Sequence, residues 1–288
     1  LVLSYDSYIS YYHRQQEMKI FKSKHKLRKE ILNNKNISFV PTMGGLHKGH
    51  EHLINCTKSF SGKCLVSIFI NPKQFNKKND YTNYPRNIKK DLSILNGHKV
   101  DYVYIPNYKD IFSFKAYNKI YLDSFSKKLC GNFRKRHFLG VVNVVNRFLE
   151  IIKPKYIFLG LKDFQQLILI KNHIKKKKIN TKVVDCKIIR EANGVACSTR
   201  NNKIDNNQMN IASNVYNFLK RKKKMIKKDL KNFNPIAYKK ELKKLGLKKI
   251  DYIELYNLIT LKRPKYKREK FKIFIAYYLN KIRLIDNI

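Results

Sequence analysis

Two histidines, His47 and His50, stand three residues apart directly after a Gly-rich turn. The apolar run before the turn, residues 37–42, predicts a buried strand, and the residues after the turn predict a helix. The N-terminus of such a helix presents unpaired N–H groups and a positive dipole end, which together attract phosphate. Two imidazoles add donors that can stabilise charge developing on a triphosphate. Residues 38–50 therefore predict an enzyme that handles ATP.

A histidine pair with this spacing also occurs in half-built metal sites and on ordinary helix surfaces, and in isolation those interpretations are favoured. Here the context is more specific. Gly49 lies between the histidines, where a missing side chain lets the backbone approach a ligand. Strand, turn and helix also follow one another in the order that nucleotide-binding α/β folds use.

Two further polar clusters follow predicted strands. Gln74 can form hydrogen bonds with a hydroxyl or carboxylate without adding charge. In isolation, however, its position after Asn-Pro favours an ordinary turn residue. In residues 160–166, Lys162 places a cation at the mouth of a helix, where it can reach phosphates. Asp163 can cap that helix, and capping alone is as good an explanation as function. Gln166 projects from the same face one turn later.

A fourth cluster, residues 189–200, predicts a hairpin with an Asn-Gly turn. It continues into Ser198, Thr199 and Arg200, whose hydroxyls and guanidinium could form a mobile phosphate clamp. Ser-Thr-Arg alone is a weak motif. The functional argument is that all four clusters lie at or just after strand ends.

Strands alternate with helices over residues 18–187, which predicts an α/β fold: a Rossmann-like parallel sheet in an N-terminal nucleotide-binding domain. Residues 188–288 predict a smaller C-terminal domain of α+β character. Residues 1–17 show no apolar period and are predicted to be a disordered or spurious extension. The predicted strands are 37–42, 64–71, 100–105, 156–160, 182–189, 250–255, 271–279 and 282–285, with helices at 24–32, 138–152 and 205–247.

The net charge of +43 favours nucleic-acid binding if it is taken alone. The excess is lysine spread along the whole chain, with abundant Asn, Ile, Tyr and Phe, all of which have A/T-rich codons. Mutational bias is therefore the better explanation, and the runs 175–178 and 220–224 are expected at a helix end and on an exposed helix face.

The five cysteines are scattered, and no run is apolar enough to span a membrane. A cytoplasmic protein is expected.

Seven ordered segments together resemble the pantothenate synthetase, or pantoate–β-alanine ligase, family, which belongs to the His-x-Gly-His nucleotidyltransferase superfamily. The resemblance covers roughly residues 18 to 288. It implies that residues 18–187 bind both nucleotide and pantoate and that residues 188–288 close over the ATP site. It is carried by residues 41–50, 66–75, Asn-Tyr-Pro-Arg at 83–86 with Asp91, 137–141, 162–166, 198–201 and 283–287.

The resemblance implies condensation of (R)-pantoate with β-alanine to pantothenate, with ATP as substrate, a pantoyl adenylate as intermediate, and release of AMP and diphosphate. Mg²⁺ would accompany the phosphates through water near Asp91. Catalytic roles fall to His50, as proton donor, and to His47 and Lys162. Gln74 and Gln166 would bind pantoate, and Gln74 also β-alanine. The implied ATP site comprises Met43, Gly44, Gly45, Leu46, His47, Lys48, Gly49, His50, Gly160, Leu161, Lys162, Asp163, Ile189, Cys197, Ser198, Thr199 and Arg200.

The resemblance also implies a homodimer that acts on small molecules and binds no specific nucleic acid and no membrane. The chain departs from the family pattern at Leu161 and Cys130, where acids are usual, and at Arg136, where glycine is usual.

Three rival interpretations stay open. They are a nucleotidyltransferase that stops after nucleotidyl transfer, a basic RNA-binding protein, and an eroded homologue that binds ATP without turnover.

Overall fold

The computed structural model describes residues 17–34, 36–76 and 78–288. The predicted extension lies outside the described residues except for Glu17. A strand that the sequence pattern did not predict, β1 (Lys19–Phe21), comes directly after it and pairs in parallel with residues 102–104. Three residues are too few to show a period, so the pairing is visible only in three dimensions.

A six-stranded parallel sheet organises residues 19–186. Its remaining strands are β2 (Ile37–Thr42), β3 (Lys63–Ile68), β4 (Tyr102–Tyr104), β5 (Tyr156–Gly160) and β6 (Lys182–Cys186), in the spatial order β1-β4-β3-β2-β5-β6. The direction of strand succession reverses between β2 and β5, and open α/β sheets bind ligands at the carboxyl ends of their strands at such a point. The predicted parallel α/β fold is confirmed.

Three strands end earlier than predicted. The strand predicted to reach Asn71 stops at Ile68, because the Asn71 side chain accepts a hydrogen bond from Lys73 N (3.1 Å) and starts a short turn. The strand predicted to reach residue 105 stops one residue earlier, before Pro106. The strand predicted over 182–189 stops at Cys186, after which the chain leaves the sheet for the hairpin.

Helices cover the sheet: α1 (Lys24–Ile31), α2 (Lys48–Thr57), α3 (Lys78–Thr82), α4 (Ile88–Gly97), α5 (Tyr108–Phe112), α6 (Cys130–Phe133), α7 (His137–Ile152) and α8 (Phe164–Lys176). The apolar face of α7 lies in the core, where the ring of Phe148 packs against that of Phe39 on β2, with centroids 5.5 Å apart. Among the helices of the described ranges, none is both long and apolar enough to cross a membrane.

The rest of the chain adds α9 (Asn206–Lys228), α10 (Pro235–Lys244) and an antiparallel sheet of β7 (Lys249–Asn257), β8 (Phe271–Leu279) and β9 (Ile282–Asn287). The predicted α+β character is confirmed. The lysine run on α9 is not uniformly exposed as expected, because Lys222 is buried and its Nζ lies 2.7 Å from Glu241 Oε1. The predicted boundary near residue 187 stays a prediction.

The small sheet packs against segments that cover the large one, and the ring centroid of Phe274 lies 5.3 Å from that of Phe164 at the start of α8. Tyr252, Phe274 and Ala276 belong to the same apolar core as the strands β2 and β5. Asn287 on β9 donates its side-chain amide to the carbonyls of Leu161 and Lys162, both at 2.9 Å. The C-terminal strand thus holds the backbone of the third polar cluster.

Candidate functional site

A cavity of about 240 Å³ lies at the carboxyl ends of the two central strands, β2 and β5. Residues from all four polar clusters line it, so the structure brings together segments that are far apart in sequence. The predicted site residues in its wall are Met43, His47, Gly49, His50, Gln74, Gly160, Lys162, Asp163, Gln166, Ile189, Cys197, Ser198, Thr199 and Arg200.

Some predicted ATP-site residues are not in this wall. Gly44 and Gly45 form the turn itself with φ of 77° and 63°, a conformation that glycine adopts readily. Leu46 is buried in the core behind β2, the side chain of Lys48 is exposed, and Leu161 packs against the main core.

Asp91 also lies away from this cavity, beneath the glycine turn. Its carboxylate is 3% exposed and accepts the N–H groups of Gly45 (2.9 Å) and Leu46 (2.8 Å). A Cβ on Gly44 would lie 2.8 Å from Asp91 Oδ2, so the turn fits closely onto the carboxylate. Asp91 therefore holds the turn in shape.

His47 is the N-cap of α2. Its Nδ1 accepts the Gly49 N–H at 3.1 Å, so Nε2 carries the proton and can donate to a ligand. Gly49 lines the cavity and also lies against the capping ring, because a Cβ there would lie 2.8 Å from His47 Cε1. The glycine in His-x-Gly-His thus makes room for the capping imidazole.

His50 packs against His47, with ring centroids 4.1 Å apart. Burial, followed by the nearby Lys162, lowers the pKa of His47 to about 4. Burial, followed by His47, lowers the pKa of His50 well below its usual range. Both rings are therefore neutral hydrogen-bond donors at pH 7 in the free protein. Within the described residues, Nδ1 of His50 is buried without a hydrogen-bond partner.

In the third cluster, Lys162 Nζ lies 3.6 Å from Asp163 Oδ2. Asp163 occupies the N-cap position of α8, but its side chain makes no capping hydrogen bond there. The capping explanation of Asp163 is therefore wrong. Its carboxylate instead faces Lys162 in the cavity wall, where it offsets part of the positive charge.

The two glutamines differ in how they are held. Gln74 Nε2 contacts Met43 Sδ at 2.8 Å, and Gln74 Oε1 accepts from Asn71 Nδ2 at 3.3 Å. Gln166 lines the same cavity, and its side chain makes no hydrogen bond to any other described residue. Its amide is thus free to meet a polar ligand.

The fourth cluster forms the predicted turn, with Gly194 N donating to Glu191 O (2.8 Å). The thiol of Cys197 donates to Glu191 Oε1 at 3.2 Å, and burial followed by this carboxylate raises the pKa of Cys197 to about 11. The thiol is therefore neutral, in line with a reaction that needs no cysteine nucleophile. Thr199 Oγ1 donates to Gly45 O (3.1 Å), which joins this cluster to the glycine turn.

Sequence reasoning gave no role to Arg134 and His137, although both line the cavity. His137 Nδ1 lies 2.8 Å from Gln74 O, and its Nε2 lies 3.0 Å from Arg134 Nη1. An apolar wall of Val141, Val145 and other residues of α7 was assigned only to the core. The helical period predicted the buried face of α7, but it could not show that one end of that face borders a cavity.

Comparisons with known proteins agree with this architecture. The family described as Pantoate-beta-alanine ligase matches residues 14–288. A pantothenate synthetase of Thermosipho melanesiensis is 38% identical over 279 residues, covering 94% of this chain and 99% of the relative. One of Flavobacterium psychrophilum is 38% identical over 271 residues, covering 91% and 94%.

Solved structures are similar over the same length. The pantoate–β-alanine ligase of Francisella tularensis, complexed with beta-gamma ATP and β-alanine, has a TM-score of 0.79 and 33% identity, covering 94% of this chain and 97% of that one. A pantothenate synthetase of Thermus thermophilus has a TM-score of 0.84 and 25% identity, covering 94% and 99%. The chain therefore belongs to the pantoate–β-alanine ligase family.

Proposed function

We propose that this protein joins (R)-pantoate to β-alanine at the expense of ATP, through a pantoyl adenylate. The observation that carries the proposal is that one cavity contains two kinds of side chain. Hydrogen-bond donors and cations suited to phosphate, His47, Lys162 and Arg200, line it together with the neutral amides of Gln74 and Gln166. The Francisella relative, whose crystal structure is a complex with beta-gamma ATP and β-alanine, supports the choice of substrates.

In this proposal the triphosphate lies at the N-terminus of α2, where His47 and His50 donate hydrogen bonds. Neutral imidazoles suit this role, because they add donors without a charge that must be desolvated before ATP arrives. Lys162 supplies the positive charge, and Ser198, Thr199 and Arg200 complete the phosphate contacts. As negative phosphates approach, they favour protonation of His50, which would then act as a proton donor.

Mg²⁺ would arrive on the ATP phosphates and neutralise charge on them. The donor set fits such an arrangement better than a protein-held metal. The described residues contain no group of three or more His, Cys, Asp or Glu that could hold an ion. Asp91 has both oxygens engaged by backbone N–H groups, which leaves Asp163 as the acid on the cavity wall.

Pantoate would lie with its polar groups on Gln74 and Gln166 and its methyl groups on the apolar wall of α7. Its carboxylate oxygen forms a bond to the α-phosphorus while the bond to diphosphate breaks. In the second step the amine of β-alanine bonds to the acyl carbon, loses a proton, and AMP departs with the electron pair of the broken C–O bond. Holding the reactants in this order is the main contribution that positioning residues make.

The order of steps gives the experiment. Labelled diphosphate should exchange into ATP when pantoate and Mg²⁺ are present and β-alanine is absent, because the amine takes no part in the first step. Adding β-alanine should then convert the adenylate to pantothenate and AMP. Exchange that requires β-alanine from the outset would rule out the stepwise route, and absence of exchange under every condition would favour an eroded homologue. The homodimer and the cytoplasmic location stay predictions.

A further inference from the structure

Arg134 is a cation in the cavity wall that forms no salt bridge in the described part of the chain. Its guanidinium donates to His137 Nε2 (3.0 Å) and to the Gln74 carbonyl (3.4 Å), both of them neutral groups. Burial, followed by the nearby Arg200, lowers the pKa of Arg134 to about 10. A half-buried guanidinium held in this way is normally balanced by an anion.

Three partly buried arginines outside this cavity wall have their donors engaged by the protein. Arg190 lies 2.7 Å from Asp286 and Arg283 lies 2.8 Å from Asp251. Arg147 donates to two backbone carbonyls and to Asn143, and it lies outside the cavity wall. Arg134 and Arg200 both border the cavity without a salt bridge in the described part of the chain, so the anions that balance them are expected to be ligands.

His137 fixes the direction of the guanidinium. Since its Nε2 accepts from Arg134, its Nδ1 carries the proton and donates to Gln74 O at 2.8 Å. Burial, followed by Arg134, lowers the pKa of His137 to about 3, so the ring stays neutral and this arrangement persists at pH 7. A guanidinium has five N–H donors, and the protein uses only some of them here.

We propose that Arg134 binds the carboxylate of β-alanine and thereby selects an amino acid over a simple amine. This inference rests on the proposed function above. After adenylation the carboxylate of pantoate is bound in the anhydride, so the carboxylate of β-alanine is the only free one among the substrates. Arg134 contacts Gln74, which is the residue proposed to meet both pantoate and β-alanine. Among the proposed phosphate contacts, His47 and Lys162 belong to other elements, and Arg200, which lies near Arg134, belongs to the fourth polar cluster.

The test compares Arg134→Gln with Arg134→Lys and with the control Lys135→Ala, which removes one charge from the adjacent, exposed position. Three quantities are measured: pantoate-dependent diphosphate–ATP exchange, the KM for β-alanine, and the ratio of kcat/KM for β-alanine to that for n-propylamine. Arg134→Gln should leave exchange within about twofold and raise the KM for β-alanine roughly 10–100-fold, the usual loss for a charge-assisted hydrogen bond. The preference for β-alanine over propylamine should fall by a similar factor.

Arg134→Lys should recover part of that preference, because a positive charge returns, whereas Lys135→Ala should match the wild type. If Arg134 only supports Gln74, exchange and the KM for pantoate change while the preference for a carboxylate stays, and the inference is overturned. A rise in the KM for ATP alone would assign Arg134 to phosphate and overturn it as well. If the wild type itself shows no exchange, the proposed function fails, and direct binding of β-alanine to wild type and Arg134→Gln then decides whether the carboxylate contact exists.

Discussion

At the residue scale, the histidines of the His-x-Gly-His motif have different tasks. Nδ1 of His47 caps α2, and Nε2 of the same ring is available to a ligand. His50 makes no hydrogen bond from its buried Nδ1 to any described residue and packs on the ring of His47. Replacing His47 would therefore disturb the start of α2 as well as the ligand contact. Replacing His50 should affect the reaction alone.

The variant His50→Ala should fold normally and lose about 2.7–4 kcal/mol of transition-state stabilisation, the usual loss of one donor to developing charge. The rate of pantoate-dependent diphosphate exchange would fall by the corresponding factor, with little change in melting temperature. His52→Ala is the control, since it lies on the same helix but is not in the cavity wall. Near wild-type exchange in His50→Ala would remove this residue from the mechanism.

The His-x-Gly-His segment could be predicted from sequence because its contacts are local, within one turn of helix. Asp91 was associated with the site only by resemblance. In the structure it accepts the N–H groups of Gly45 and Leu46, which are far from it in sequence, so this contact depends on the fold. Arg134 was missed for the same reason. Its partner Gln74 lies 60 residues earlier, and no periodicity connects the two.

At the scale of elements, the strands with strong apolar runs were predicted well. The bounds of β2, β5 and β8 are the predicted ones, because their mainly apolar runs end where the glycine turn, the short turn at Leu161–Asp163 and the turn at Asn280 begin. The edge strand β1 was missed, since it is short and half exposed and takes its conformation from pairing with β4. A buried strand can thus be predicted from its apolar residues, whereas the residue at which a strand ends depends on side-chain contacts that the pattern does not show.

The turn between β2 and α2 gives an element-scale prediction. Asp91→Asn replaces one acceptor with an NH₂ group that faces a backbone N–H, which should lower the free energy of unfolding by about 1–3 kcal/mol. The KM for ATP should rise because the turn loses its shape. Urea unfolding and initial rates measure both effects, with the exposed Asp185→Asn as control.

The same variant separates two tasks for Asp91. If it only shapes the turn, the Mg²⁺ concentration needed for half-maximal activity should stay unchanged while stability falls. If instead it binds Mg²⁺ through water, the Mg²⁺ requirement rises and stability is kept, contrary to what the hydrogen bonds of Asp91 predict.

At the scale of the whole molecule, the surplus of lysine remains a surface property. The cavity contains both signs of charge through Lys162 and Asp163, and the two lysine runs lie at the end of α8 and along α9. Such a surface attracts any polyanion without reading its sequence.

Two unrelated RNAs of equal length should therefore bind with similar, weak affinity. Their affinity should fall steeply between about 50 and 200 mM salt, as expected for contacts to phosphates. Fluorescence anisotropy across that range tests this. Tight binding of only one of the RNAs at the higher salt concentration would support a specific nucleic-acid function instead.

Stability should also depend on pH through buried His173, which joins α8 to Asn146 on α7 (3.0 Å) and accepts from Tyr121 N (3.2 Å). Burial, followed by Lys177, lowers the pKa of His173 to about 4. Between that value and about 6.5 the unfolded chain binds a proton that the folded chain does not, so stability is complete above this window and is lost as the pH falls through it.

Because of His173 alone, the free energy of unfolding should fall by about 2 kcal/mol between pH 7 and pH 5. Chemical denaturation at the two pH values measures the loss. His173→Gln should be less stable at pH 7 but should show a smaller difference between the two values. An equal difference in both proteins would show that His173 does not titrate in this window.

The hydrogen bonds from Asn287 to the carbonyls of Leu161 and Lys162 connect residues up to 126 positions apart. A ribosome delivers the strands of the large sheet well before β9, and domains begin to fold as they emerge. A nascent chain can therefore assemble the sheet while Lys162 still lacks the strand that fixes its backbone. Completion of the proposed nucleotide site therefore falls at a late stage of synthesis, so chains that still lack β9 should consume no ATP.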